Sequence, residues 1–119
     1  ELETLNLHSN RISKIEGLHV CKQLQFLNLS SNNIKKISGL ECLTSLKQLN
    51  LSNNEIECIE NIQTLQNLKT LNLSYNKISE LGGLKSLGGR ESRLKSLDLS
   101  GNNLTSIGHI ASILVLLIN

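Results

Sequence analysis

The nine residues LQFLNLSSN at positions 24–32 contain the pattern that decides the fold. The same pattern returns as LKQLNLSNN at 46–54 and as LKTLNLSYN at 68–76, and in altered form at 2–10 and 94–102. Its general form is Leu-x-x-Leu-x-Leu-x-x-Asn, and its five copies are separated by three intervals of 22 residues and one of 26. A pattern that recurs at such a fixed period predicts a solenoid of stacked, similar units.

Each unit continues with apolar residues at its positions 11, 14, 17 and 20. In the second unit these are Ile34, Ile37, Leu40 and Leu43, and every other unit fits the template if Cys21 is counted as apolar. Such a unit is a short strand and a return segment around a narrow interior that only neighbouring units can close. The predicted fold is an α/β solenoid, with a curved parallel β-sheet on the concave face, strands about 4.8 Å apart, and short helical or 3-10 return segments on the convex face.

The length of 119 residues allows one domain, residues 1–119. We assign its repeats to residues 2–23, 24–45, 46–67, 68–93 and 94–115, with the start of a sixth at 116–119. Neither end shows the polar cap that solenoids need, so we expect the chain to be a fragment of a longer one. The fourth repeat holds four extra residues around 88–93, predicted to form a loop that either contacts partners or is simply flexible.

The ninth position of every repeat is asparagine: Asn10, Asn32, Asn54, Asn76 and Asn102. There the chain turns out of the strand and leaves backbone polar groups without partners. A side-chain amide carries both a donor and an acceptor, so it can satisfy them. We therefore predict a structural role for this row of asparagines rather than a functional one.

Over its whole length the chain resembles the 22-residue class of leucine-rich repeats, LxxLxLxxNxIxxIxGLxxLxx. This class includes a regulatory subunit of a Ser/Thr phosphatase, an axonemal dynein light chain and the N-terminal domains of centrosomal coiled-coil proteins. The longer fourth repeat followed by LDLSGN is most similar to the leucine-rich repeat and coiled-coil centrosomal proteins. The resemblance implies an interaction module in a larger cytoplasmic scaffold, located at the centrosome or the cilium.

Composition argues against several other classes of protein. Twelve basic and ten acidic residues give a net charge of only +2, and the two aromatic residues cannot form a stacking series beside basic ones, so no nucleic-acid partner is expected. The longest apolar run, residues 113–118, is too short to span a bilayer, so no membrane partner is expected. Cys21, Cys42 and Cys58 show no CxxC spacing, and we expect reduced thiols in a reducing compartment.

Nothing in the sequence indicates an enzyme. His8, His19 and His109 fall on different faces of the predicted solenoid and cannot converge on one metal ion. No Ser, Cys or Asp has a histidine at a useful distance in the predicted register. We expect no catalytic residue, no cofactor, no metal and no small-molecule substrate.

The candidate partner-binding residues lie on the predicted concave face. Phe26 occupies a position where other repeats carry Gln48 or small polar residues, and it is either an interface anchor or a tolerated surface aromatic. Tyr75 lies at the exit of the fourth strand and is the second candidate aromatic. The remaining candidates are the polar strand residues Asn28, Gln48, Asn50 and Asn72 and the lysines Lys47, Lys69 and Lys95 along one edge. The lysines either orient a partner or only keep the surface soluble.

The sequence therefore predicts a module that binds a protein partner through its concave face. The alternative is a regulatory subunit that docks on a Ser/Thr protein phosphatase, as one member of the class does. That role requires acidic and aromatic residues over many repeats of the concave face, which here carries mainly Asn, Ser and Lys.

Overall fold

The computed structural model describes residues 1–88 and 93–104, and in these residues five short strands form one sheet. All neighbouring strands are parallel and follow chain order. The strands are β1 (Thr4–Asn6), β2 (Phe26–Asn28), β3 (Gln48–Asn50), β4 (Thr70–Asn72) and β5 (Ser96–Asp98). The parallel sheet predicted from the repeat is confirmed.

The strand register follows the repeat residue for residue. Leu27 pairs with Leu49, and Leu49 pairs with Leu71, so the middle leucine of each strand lies beside its equivalents. All three are buried, with at most 3% of each exposed. Because alternate residues of a strand point to opposite faces, the residues on either side of these leucines face the groove.

The core is a continuous column of Leu and Ile side chains between the sheet and the return segments. Ile34, Ile37, Leu40 and Leu43 of the second repeat are all fully buried. The first repeat is less well covered, and its Leu5, Leu7 and Ile12 are only partly buried against this core. A repeat is buried from both sides only where it has a neighbour on each side, as expected for a solenoid.

The return segments of the first three repeats are successive tight turns rather than helices. In the second repeat, Leu43 N–H donates to the Leu40 carbonyl and Leu46 N–H to the Leu43 carbonyl, both over three residues. Among the described residues, the helical content is one 3-10 helix, η1, at Gly82–Leu87 of the fourth repeat. Of the predicted insertion at 88–93, only Gly88 and Arg93 are described, and the predicted sixth repeat lies outside the described residues.

Adjacent return segments approach each other closely. A Cβ atom at Gly83, which lies in η1, would collide with the Ile59 carbonyl oxygen of the preceding repeat. Glycine therefore allows the helix of the fourth repeat to lie against the third.

The chain leaves every strand through the left-handed backbone conformation. The eighth residue of each repeat has a φ between 54° and 69°: Ser9, Ser31, Asn53, Tyr75 and Gly101. This conformation is common for glycine and asparagine and unfavourable for a bulky side chain. Tyr75 is thus the residue least suited to its position.

Candidate functional site

The concave face of the sheet forms an open groove of about 360 Å³. It is lined by residues of β1 to β4, including Phe26 and Gln48. Strand residues line this groove because the return segments occupy the opposite side of the core. The groove is therefore a broad concave surface that is open to a partner.

Phe26 begins β2 and contributes the groove's only aromatic ring. It lies between Thr4 and Gln48 of the neighbouring strands. The sequence predicts a surface aromatic at this position, and in the structure Phe26 is half-buried. The ring therefore offers a partner one rigid apolar surface that is already partly dehydrated.

The fifth position of the repeat places a second row of asparagines in the groove. We call Asn6, Asn28, Asn50 and Asn72 the groove asparagines. In the second repeat, Asn28 Oδ1 accepts from the Ser30 backbone N–H at 3.0 Å and from the Ser30 hydroxyl at 2.7 Å. Asn50 with Ser52 and Asn72 with Ser74 repeat this arrangement at the same distances.

These bonds fix the orientation of the groove amides. A backbone N–H can only donate, so the oxygen of each amide must face the serine and the nitrogen must face away. The Nδ2 groups of Asn28, Asn50 and Asn72 donate no hydrogen bond to any residue in the described part of the chain. The groove thus presents a row of unused donors, one per strand and about 4.8 Å apart.

The fifth strand departs from this row, because Asp98 stands where the other repeats have asparagine. Its Oδ1 accepts from the Ser100 N–H at 3.0 Å and from the Ser100 hydroxyl at 2.7 Å, so the local geometry is unchanged. These two bonds, of which the hydroxyl contributes more, lower the pKa of Asp98 below its ordinary value. At this end of the groove, the fifth strand therefore presents a negative charge instead of an amide donor.

Three lysines stand immediately before successive strands along one edge of the groove. Lys47 is half-buried, while Lys69 and Lys95 are exposed. None of them forms an ion pair within residues 1–88 and 93–104, where the ion pair present is Lys14–Glu16 on the return side, at 3.9 Å. The corresponding residues of the first two repeats are Glu3 and Gln25, so the positive charge is confined to repeats three to five.

The asparagines at the ninth position, which we call the turn asparagines, lie elsewhere. Asn54 Nδ2 donates to the carbonyls of Leu29, Leu51 and Ser52 at 3.0, 3.1 and 3.2 Å, and its Oδ1 accepts from Ile34 N–H at 3.0 Å. Leu29 and Ile34 belong to the preceding repeat, so this side chain joins two repeats. Asn32, Asn76 and Asn102 make the equivalent bonds.

Tyr75 lies at the rim of the solenoid rather than in the groove, and 60% of it is exposed. Its ring packs over Gly101 of the next repeat, where an added Cβ would come within 2.5 Å of the ring. The two candidate aromatics therefore do not meet in one site. Phe26 faces the groove, and Tyr75 marks a separate surface.

The other reactive side chains form no site. Cys21, Cys42 and Cys58 are free thiols, and burial, with the nearby Glu60 carboxylate, raises the pKa of Cys58. In the described ranges no three His, Cys, Asp or Glu side chains cluster as metal ligands. His109, a candidate excluded on sequence grounds, lies outside those ranges.

Comparisons with known proteins agree with this architecture. A family model described as leucine-rich repeats in two copies matches residues 1–42, 22–67 and 44–86, and a single-repeat model matches residues 93–114. The chain belongs to the leucine-rich repeat family. Leucine-rich repeat domains are protein-interaction modules, and the fold itself is a binding scaffold rather than a catalytic one. No curated protein matches the chain significantly.

Solved structures with this fold include three informative neighbours. An internalin (inlF) of Listeria monocytogenes is 31% identical over 96% of this chain and 33% of its own, with a TM-score of 0.79. A chain of the Drosophila melanogaster SNF/U2A' complex is 31% identical over 92% of this chain and 65% of its own, with a TM-score of 0.78. A chain of the TLR13–ssRNA13 complex is 32% identical over 94% of this chain and 16% of its own, with a TM-score of 0.79.

This leucine-rich repeat chain spans only a third of the length of the internalin that it matches. None of its described helices is long and apolar enough to cross a bilayer.

Sequence reasoning missed the serines that orient the groove amides. Ser30, Ser52, Ser74 and Ser100 each follow the groove position by two residues. The signal for them is the Asn-Leu-Ser that recurs in repeats two to four. An Asn or Asp followed two residues later by Ser is a common local hydrogen-bonded turn.

Proposed function

We propose that this chain is an interaction module that binds a segment of a protein partner along its concave groove. The observation that carries the proposal is the juxtaposition in one groove of a single half-buried aromatic ring, Phe26, with a row of amide donors that no described residue uses. Both features lie on strands held in register by the core, so the groove is rigid before a partner arrives.

This arrangement suits an interface energetically. A partner that places an apolar side chain against Phe26 gains a dry anchor, and large aromatic residues dominate the energetics of protein interfaces. Since the unused Nδ2 groups are hydrated in the free protein, each gains a hydrogen bond only from a partner that brings an acceptor. The anchor therefore supplies affinity, and the donors supply specificity.

The decisive experiment is a titration of a purified partner, first recovered by pull-down, against three variants. Phe26→Ala should weaken binding by about 2 kcal/mol or more, the range of interface hot spots, with little change in thermal stability. Lys69→Glu should slow association, and less so at high salt, because an edge charge acts mainly through long-range steering. Lys36→Glu, which changes the same charge on the return side, is the matched control.

Equal affinity of the wild type and Phe26→Ala, with a loss of affinity in Lys36→Glu or on changing Arg93, would move the binding surface to the convex side. Arg93 is a suitable probe there because its guanidinium donates to Asn67 Oδ1 at 2.7 Å on the return side.

We further propose that the module belongs to a cytoplasmic scaffold at the centrosome or the cilium. This proposal rests on the resemblance of the longer fourth repeat and LDLSGN to centrosomal proteins of the class. Docking on a Ser/Thr phosphatase is the weaker alternative, since the residues that line the groove are mainly amides and hydroxyls, with one aromatic ring and no acidic side chain among them. Light microscopy of the fluorescently tagged full-length protein tests the proposed centrosomal or ciliary location, and diffuse or extracellular fluorescence would contradict it.

A further inference from the structure

We infer that the occupant of the groove is an acidic segment of a partner protein, with carboxylates over repeats three and four and an apolar side chain against Phe26. This inference deepens the proposed function and rests on it. The observation behind it is that the groove asparagines of the third and fourth strands offer a partner only donors, with two lysines beside them, while Gln48 and Thr70 in the same groove can either donate or accept. Asn50 and Asn72 present Nδ2, and Lys47 and Lys69 stand beside them without an ion-pair partner among the described residues.

The groove asparagines are selective for acceptors because their own acceptor is already used. A free amide can bind a donor or an acceptor, but Ser52 and Ser74 occupy Oδ1 in these two repeats. At Asn50 and Asn72 a partner therefore meets only N–H groups. Carboxylates are the strongest acceptors among protein side chains, and their bonds to N–H are further strengthened by the neighbouring lysines.

The ends of the groove limit where a carboxylate can lie. Asp98 places a negative charge at the equivalent position of the fifth strand, and its pKa is lowered, so it stays ionised at neutral pH. Glu3 stands before the first strand, where the later repeats have lysine. Repulsion at both ends favours carboxylates over the third and fourth strands.

Phe26 sets the register of the segment. It lies on β2, one strand from Asn50 and two strands from Asn72. Two strand spacings are about 10 Å, which an extended chain covers in about three residues. The occupant should therefore carry its apolar residue within about four positions of its acidic residues.

A polypeptide fits this surface better than a nucleic acid, although both are rich in acceptors. Single-stranded nucleic acids are held by a series of stacking aromatics beside a basic track. The chain has one Phe and one Tyr, and they lie on different surfaces. The positive charge along the edge of the groove amounts to three lysines, and Asp98 places a negative charge in the same repeat as the last of them.

The structure supplies its own matched pair of substitutions. Asp98 makes the same two bonds to Ser100 that Asn50 makes to Ser52, at the same 3.0 and 2.7 Å. Asn50→Asp should therefore keep the local fold while it replaces a donor with a negative charge. Asp98→Asn should add a donor and remove a charge. Glu80→Gln changes the same charge on the return segment and is the control.

The probe is a library of random 12-residue peptides displayed on phage and selected on the immobilised 119-residue chain. Selected peptides should be enriched in Asp and Glu near an apolar residue. A synthetic peptide of the leading sequence should bind about tenfold more tightly than its counterpart with Gln and Asn for Glu and Asp, measured by fluorescence polarisation. Asn50→Asp should weaken binding about tenfold, and Asp98→Asn should strengthen it about threefold, while Glu80→Gln changes nothing.

Thermal melts accompany these titrations. If Asn50→Asp does not fold, Lys47→Gln and Lys69→Gln replace it, and each should weaken acidic peptides and reduce the salt dependence of binding. Selection of neutral or basic peptides, no selection at all, or equal binding of acidic peptides to wild type and Asn50→Asp would overturn the inference. The inference would also be overturned if a single-stranded 12-nucleotide RNA bound more tightly than any acidic peptide and this binding disappeared in Asn50→Asp.

Failure of the inference is distinguishable from failure of the proposed function. If acidic peptides do not bind but Phe26→Ala still abolishes binding of the recovered partner, the groove is the binding site and its occupant has another chemistry. If Phe26→Ala leaves partner binding unchanged, the groove itself is the wrong surface.

Discussion

Two rows of asparagines run along this solenoid four residues apart, and they use the same side chain in opposite ways. In the turn asparagine Asn54, which is 8% exposed, donor and acceptor are both bonded to protein. In the groove asparagine Asn50, the acceptor is bonded to Ser52 and the donor has no partner among the described residues. The difference shows that residue type alone does not separate a structural amide from one available to a ligand.

The cause lies in what the surrounding backbone leaves unpaired. Where the chain turns out of the strand, the carbonyls of Leu29 and Leu51 and the N–H of Ile34 need partners, and Asn54 supplies all of them. On the groove side the sheet has already paired the strand backbone, so nothing remains for Asn50 Nδ2 to bind. The turn asparagine therefore uses both its donor and its acceptor to satisfy backbone groups, whereas the groove asparagine uses only its acceptor.

The largest expected effect concerns a buried leucine beside the groove row. Leu49 precedes Asn50 in β3 and is 1% exposed. Leu49→Ala should lower the free energy of unfolding by about 2–5 kcal/mol, because the cavity it leaves is enclosed by repeats on both sides. Urea denaturation measures this loss. An unchanged midpoint would contradict the register of the third repeat.

The next effect tests the turn asparagines. Asn54→Ala should lower the free energy of unfolding by about 1–3 kcal/mol, since it leaves buried backbone groups without partners. Asn10→Ala is the matched control, because Asn10 is exposed and, among the described residues, its side chain bonds only to Leu7 and His8 of its own repeat. Its expected change is within about 0.5 kcal/mol. Equal losses in the two variants would show that the bonds between repeats do not matter.

A smaller effect is expected for the groove asparagines. Asn72→Ala removes two local bonds to Ser74 and leaves no carbonyl of another repeat unpaired. The free energy of unfolding should fall by about 0.5–1.5 kcal/mol, less than for Asn54→Ala under the same conditions. If denaturation gives the opposite order, the two rows do not differ as their contacts indicate.

The smallest effect is a titration at the end of the groove row. The Ser100 hydroxyl and N–H lower the pKa of Asp98, so the stabilisation they provide is present above the unfolded-state pKa and is lost as pH falls through the folded-state pKa. Carboxyl NMR should find the Asp98 pKa below that of an ordinary aspartate. Ser100→Ala should raise it, and an Asp98 pKa that does not respond to this change would remove the serine as its cause.

The repeat predicted most of the fold because its signal is periodic. Leu27, Leu49 and Leu71 recur at one spacing, and a single register buries them all. The return segments were less predictable, because turns and a 3-10 helix both bury the same apolar positions. The pattern does not indicate which of the two forms, since Gly39 and Gly83 approach the preceding repeat in the same way and, among the described residues, only Gly83 lies in a helix.

The candidate site was predictable only in part. Periodicity places Phe26 and the groove asparagines on the concave strands, and the structure finds them lining the groove. It does not indicate which atom of each amide is available, since that depends on a bond to Ser52 or its equivalents. Nor does it separate Tyr75 from the groove, because the left-handed turn and the contact with Gly101 direct that ring to the rim.

The turn asparagines also give the contacts between repeats a direction. Asn32, Asn54, Asn76 and Asn102 each reach back to the repeat before them. The Ile56 N–H, for example, bonds to a side chain only through Asn76, and the Leu51 carbonyl, already bonded to Asn54, gains a second donor from Asn76. Each repeat therefore has its turn completed by the repeat that follows it in the chain, so the interface between two repeats has a fixed direction.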